Sequence, residues 1–186
     1  MAEAAQPASA SASPRARLFF ALWPDATVSG RLDAQGRQLR DECRGRLTRR
    51  ETLHLTLAFL GDVDRQRIAE LGAIAAQIDA PAFVLQLDVL GSWTRNRIAW
   101  AGCSETPGAL QDLAAGLAER LRSAGFELER RPFRAHITLL RKIASPFPAR
   151  GIAPIAWRAD EFVLVESVRT AEGARYQVIG RWPLRE

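Results

Sequence analysis

Two short runs share one pattern, and that pattern constrains the fold more than any other feature of the chain. Residues 52–60 (TLHLTLAFL) and 133–140 (FRAHITLL) both read as strands, the first by clear apolar and polar alternation. Each contains the tetrapeptide His-x-Thr-Leu, as His54-Leu55-Thr56-Leu57 and His136-Ile137-Thr138-Leu139. These are the two histidines of the 186-residue sequence. In a strand, residues i and i+2 point to the same face. Each imidazole therefore projects beside its own threonine hydroxyl, while Leu55, Leu57, Ile137 and Leu139 point into a core. By composition, both histidines would carry threonine at that offset only roughly a few times in a thousand chains. The expected fold must bring two such strands together.

The remaining periodicities supply the other elements. Residues 17–23 (RLFFALW) read as a buried strand. A helix is expected from Pro24-Asp25 to about residue 42, with Val28, Leu32 and Leu39 on one face, although Gly30 and Gly36 weaken it. Residues 64–78 place Ile68, Leu71, Ile74, Ala75 and Ile78 at helical spacing, after a strand closed by Gly61-Asp62. Residues 83–90 and 97–101 form an antiparallel hairpin around a turn at 91–96. Residues 107–124 make the clearest amphipathic helix, with Leu110, Leu113, Leu117 and Leu121 in line and Gly125 at its end. Residues 144–154 are proline-rich and read as a loop. Residues 161–168 and 175–179 are the last strands, joined at 171–173. The order predicts an α+β fold with two pseudo-symmetric lobes. Each lobe is an antiparallel sheet with helices outside, and the active-site groove lies between them.

Residues 1–16 read as a disordered tail, its first fourteen positions mostly Ala, Ser and Pro, followed by one bilobal domain over 17–186. The tail has neither the basic start nor the apolar run of a secretory signal. No stretch approaches the roughly 20 apolar residues of a membrane helix. Cys43 and Cys103 form no Cys-x-x-Cys motif, so two free thiols in a reducing cytoplasm are expected. The net charge is +5, and Lys142 is the only lysine. An arginine-rich chain reflects coding bias or a phosphate-attracting surface, and composition leaves both open.

Two imidazoles and two hydroxyls suit phosphoryl transfer on a cyclic phosphodiester. One imidazole takes a proton from the attacking water and the other protonates the leaving oxygen, because histidine titrates near neutrality. The attacking and leaving oxygens lie roughly in line across phosphorus, so acid and base approach from opposite sides. Thr56 and Thr138 can donate to the non-bridging oxygens. Neither motif holds an Asp or Glu at ligand spacing, so no metal and no cofactor is expected. Phe20 and Trp93 are candidates to stack on a nucleobase.

These residues resemble the 2H phosphoesterases, and within them the bacterial RNA 2′,3′-cyclic phosphodiesterases, also called 2′-5′ RNA ligases. The resemblance spans residues 17–182. Its flanks include Arg17-Leu18-Phe19-Phe20-Ala21, the run 53–61 (LHLTLAFLG), residues 131–141 (RPFRAHITLLR), the hairpin from Trp93 to Trp100, and Arg175-Tyr176. It implies that His54 donates the proton, that His136 accepts it, and that Arg141 binds phosphate. Where the family usually has proline, this chain has Ala135. The implied substrate is RNA ending in a 2′,3′-cyclic phosphate, opened to a 2′-phosphate by a cytoplasmic monomer with no obligatory protein partner, with weak ligation possible in reverse. Hydrolysis of a small cyclic nucleotide, such as ADP-ribose 1″,2″-cyclic phosphate, stays open as a second reading. A non-catalytic RNA-binding module is a third, which the two intact motifs oppose.

Overall fold

A computed structural model describes residues 14–129, 131–170 and 173–186. Most of the expected tail lies outside the described residues, as do two residues of the turn expected at 171–173. Strand β1 (Arg15–Leu22) starts inside the expected tail. The correction has a physical cause: Ala16 is buried, and Arg15 and Ala16 pair with Asp64 and Val63. The other strands are β2 (Arg46–Leu47), β3 (Leu55–Asp64), β4 (Phe83–Trp93), β5 (Ile98–Gly102), β6 (His136–Arg141), β7 (Arg150–Ala159), β8 (Glu161–Thr170) and β9 (Gly173–Pro183). They join in one sheet ordered β7-β4-β5-β6-β3-β1-β8-β9, with the short β2 beside β6. Every pairing between these strands is antiparallel.

The helices are α1 (Ala26–Cys43), α2 (Ile68–Ala75) and α3 (Gly108–Ser123). Asp25 caps α1 by accepting a 2.8 Å bond from the Val28 N–H, which ties down one of the free donors at a helix start. Gly36 costs α1 some backbone entropy, yet it lets the helix approach the sheet: an added Cβ would meet Leu47 at 2.8 Å and Leu139 at 3.7 Å. The helix α2 is shorter than expected because β3 runs on through Gly61, at φ 69°, to Asp64. Strand β7 occupies part of the expected loop. It pairs only with β4 at the edge of the sheet, where Pro154 removes no needed donor.

The expected pseudo-symmetry is present as two four-stranded halves of one open sheet. β3, β1, β8 and β9 run outward on one side of the centre, and β6, β5, β4 and β7 on the other. The segment β1-α1-β3 answers to β5-α3-β6. Each long helix crosses to the opposite half, α1 packing on β6 and α3 on β3. Leu32 and Leu39 of α1 and Leu110, Leu113 and Leu117 of α3 join Leu18, Phe20, Leu55 and Ile137 in one core. Each such buried leucine contributes roughly 1.5–3 kcal/mol. The helices thus cover one face of the seam, and the site lies on the other.

Candidate active site

The two motif strands meet directly. β3 and β6 pair through Leu55 and Ile137, both fully buried. Continuing that register by one residue sets His54 across from Thr138 and Thr56 across from His136. Opposed side chains in such a pair stand about 5 Å apart at Cβ. The two histidines and two threonines therefore make a two-by-two array on the open face, related by an approximate two-fold axis at the seam. All four line one groove of about 2130 Å³. Where the sequence predicts facing lobes, the motifs are neighbours in one sheet, and the groove runs over their junction.

The fourth residue of each motif does the same mechanical job in both halves. Between β1 and β3, Phe20 pairs with Ala58 and Ala21 with Thr56, so Leu57 is skipped. Between β5 and β6, Ala99 pairs with Leu140 and Trp100 with Thr138, so Leu139 is skipped. Each is a β-bulge, which adds one residue and reverses the alternation beyond it. Leu139 and Leu140 can both enter the core for this reason, and Arg141 returns to the groove side with Thr138. Strict alternation would have aimed Arg141 at the helices.

Both imidazoles are held in one tautomer. The His54 Nδ1–H donates to the Thr52 carbonyl at 2.7 Å, and the His136 Nδ1–H to the Arg134 carbonyl at 2.8 Å. A carbonyl only accepts, so the proton sits on Nδ1 and the Nε2 lone pair is left for the groove. Among the described residues, neither motif threonine hydroxyl is tied to another group.

The surroundings of the two rings differ. Trp23 stacks on His54 at 5.4 Å with planes 9° apart, Phe19 lies at 4.8 Å, and Tyr176 meets the ring edge-on at 5.3 Å. His136 has Trp93 at 4.5 Å, backed by Trp100. Trp100 lies so close over Gly91 that any side chain there would collide with it. Burial lowers the His54 pKa to about 4; the Thr52 carbonyl opposes this, and the charges of Arg141 and His136 add to it. Burial also lowers His136, against the Arg134 carbonyl and with the help of Arg141. Arg141 thus acts electrostatically on both histidines.

Phe20 requires correction. It is fully buried on the helix side, against Phe162 at 6.2 Å and Trp182 at 5.9 Å, and cannot reach a base in the groove. Its neighbours Phe19 and Trp23 pack against His54 instead. Trp93 does line the groove. No sequence signal marks Trp23 or Phe19 as a site residue, and Tyr176 stands out only through the Arg175-Tyr176 flank. The groove is strongly basic: Arg46, Arg49, Arg95 and Arg141 line the His54 end, Arg122, Arg131 and Arg134 the other, against Glu129 as the one acid. No three His, Cys, Asp or Glu side chains among the described residues are grouped to hold a metal ion. No helix among them is long and apolar enough to cross a membrane.

An open antiparallel sheet with two His-x-Thr rows over its central seam is the arrangement of the 2H phosphoesterases. A family model described as LigT like Phosphoesterase matches residues 22–100 and 102–176. The RNA 2′,3′-cyclic phosphodiesterase of Escherichia coli (strain K12) is 37% identical over 144 residues, covering 76% of this chain and 81% of that protein. The protein of the same name from Thermus thermophilus is 30% identical over 186 residues, covering 91% and 90%. A crystal structure of E. coli LigT in apo form aligns with a TM-score of 0.83 at 34% identity, covering 94% of this chain and 100% of that one. The chain belongs to the LigT-like phosphoesterase family.

Proposed function

We propose that this protein is a hydrolase that opens the 2′,3′-cyclic phosphate at RNA 3′ ends, leaving a 2′-phosphate, and that it does so without a metal ion. The two-by-two array of His54, Thr138, Thr56 and His136 carries this reading. With phosphorus over the seam, the histidines of the array stand diagonally opposite, as in-line displacement requires. His136 Nε2 takes the proton from water, and His54 Nε2 delivers one to the departing O3′. Thr56 and Thr138 donate to the non-bridging oxygens, and Arg141 grips them with its guanidinium fork. The curated relatives in E. coli and T. thermophilus carry the name of this activity.

The protonation states need the substrate. In the protein on its own both histidines are hard to protonate, and His54 is pushed to about 4. An anionic phosphodiester beside them offsets the Arg141 charge and raises both pKa values. The acid is therefore charged when substrate binds, and the rate is bell-shaped in pH. Seven groove arginines against one glutamate favour RNA over a small cyclic nucleotide, because they extend well past the four motif residues. Trp93, exposed to the groove beside His136, offers a face for a base. The substrate and the free thiols Cys43 and Cys103 fit a reducing cytoplasm, and the chain needs no second protein to complete the array.

The test is product analysis on an RNA oligonucleotide ending in a 2′,3′-cyclic phosphate, with EDTA present. Full activity and a 2′-phosphate product are expected. Activity lost in EDTA and restored by Zn²⁺ or Mn²⁺ overturns the mechanism; a 3′-phosphate product overturns the assigned leaving oxygen.

A further inference from the structure

The bulge that returns Arg141 to the groove has a twin, and the residue it re-aims is Phe59. Arg141 stands five positions after His136, and Phe59 stands five after His54. Both follow a skipped leucine, and both line the groove. Phe59 pairs with Phe19, whose ring faces His54, so the two share the open face. Phe59 is 39% exposed, whereas Phe19, Phe20 and Phe162 are buried. The Arg17 guanidinium covers one side of its ring, 4.7 Å from the centroid, and is itself 3.8 Å from Asp62. The described residues thus place a bare aromatic face, backed by a cation, where the second half has its phosphate-directed arginine.

We propose that Phe59 and Arg17 form a stacking subsite for the nucleobase beyond the phosphorus, on the nucleoside that carries the 5′-oxygen. This rests on the acid and base roles proposed above. The register decides the side. Arg141 continues from the His54–Thr138 row, and Phe59 continues from the Thr56–His136 row. His136 is the base, so its end of the seam receives the attacking group. Because Leu57 is skipped, Phe59 lies two ladder steps on from Thr56, about 7 Å at the usual strand rise, within one nucleoside's reach. Arg134 lines that same end and suits the phosphates of a continuing strand, while Arg131 beside it is paired with Glu129. A base sandwiched against an aromatic ring and backed by arginine is the common recipe for holding single-stranded RNA.

The subsite serves the ligation that the family resemblance implies. A 5′-hydroxyl held there takes the place of water. The O5′–P bond forms and the P–O3′ bond breaks; the O5′ proton passes to His136, and His54 gives its proton to O3′. The product is a 2′–5′ linkage, and the reverse path cuts one. No other reactant is consumed.

The experiment compares two substrates on the full chain. Uridine 2′,3′-cyclic phosphate fills only the ribose side, whereas a 2′–5′-linked uridine–adenosine dinucleotide also reaches Phe59. The readout is kcat/KM for the dinucleotide divided by that for the cyclic nucleotide. Phe59→Ala should lower this ratio about tenfold or more, the scale of one lost base stack. Phe59→Trp should keep it, and Phe59→Leu should not restore it. A ratio unchanged in Phe59→Ala, or restored by leucine, overturns the subsite. Wild-type protein that hydrolyses the cyclic nucleotide but never cuts the dinucleotide also overturns it, and leaves the hydrolase reading standing. Failure on both substrates sinks that reading itself.

Discussion

The His54 half and the His136 half are built alike and solvated differently. Each sets a histidine at the start of a motif strand, ties Nδ1 to the carbonyl two residues back, and skips the motif leucine as a bulge. The covers differ. His54 sits among Trp23, Phe19 and Tyr176, whereas His136 meets Trp93. Backbone repetition therefore fixes where the two imidazoles go, while burial lowers the pKa of both, that of His54 to about 4. One duplicated framework thus yields two different titrating groups, which is what paired acid and base chemistry needs.

The strongest way to break the comparison is to remove each histidine in turn. His54→Ala and His136→Ala should each lower kcat by roughly 10² to 10⁴, the usual yield of one general acid or base. They should also flatten opposite limbs of the bell-shaped pH profile. A profile that loses the same limb in both variants would end the division of labour.

The threonines come next, and here the halves should behave alike. Thr56→Val and Thr138→Val should each lose roughly 10- to 1000-fold in kcat, the scale of one oxyanion donor or somewhat less. Thr56→Ser and Thr138→Ser keep the donor and should stay active. Circular dichroism should be unchanged in all four, since valine suits a strand as well as threonine does. Valine variants that turn over like wild type would reduce the threonines to strand formers.

Arg141 should matter less than either motif pair, and it tests the bulge. Arg141→Ala should cost about 1.5–3 kcal/mol in kcat/KM, as expected for a hydrogen bond to a charged group. Arg141→Lys should recover only part of this, because an ammonium lacks the fork. Wild-type kinetics in the alanine variant would remove Arg141 from phosphate binding.

The four motif residues were legible because His-x-Thr is a local signal: the two-residue period fixes a shared face wherever the strand goes. The pairing of β3 with β6 was not, since it joins Leu55 to Ile137 across 82 positions, and no local pattern encodes that register. The bulges were half legible. Leu139-Leu140 before Arg141 breaks the alternation, but the break shows as a bulge only once the neighbouring strand is in place. Phe20 misled because residues 18–22 are apolar on both faces of β1. One face meets the helices and the other meets His54, so period alone could not tell Phe20 from Phe19. Strand β7 was hidden by Pro146 and Pro148 just before it and by Pro154 within it, which an edge position tolerates.

The smallest expected effect is on rate and the sharpest is on titration, and it asks whether the aromatic cover causes the asymmetry. With two histidines in the chain, each ring can be followed by NMR. In the protein on its own His54 should titrate near 4, because burial is the largest influence on it. Trp23→Leu removes the parallel indole and admits water to one ring face, so the His54 pKa should climb toward 6.5. His136, covered by Trp93 and not by Trp23, should hold its value; Trp93→Leu should raise His136 and leave His54 in place. Stability follows the same sign. A histidine kept neutral in the fold and free to charge when unfolded contributes stability at pH above 6.5, and that contribution fades as pH falls toward 4. Trp23→Leu should therefore weaken the loss of stability between pH 6.5 and 4, even if packing makes the variant less stable throughout. Turnover near neutral pH should change by only a few-fold, because the bound phosphodiester, rather than the indole, sets the protonation of His54 during the reaction. A His54 that still titrates near 4 without the Trp23 indole would move the cause to Phe19, Tyr176 or the Arg141 charge, and the contrast between the halves would no longer rest on the stacked ring.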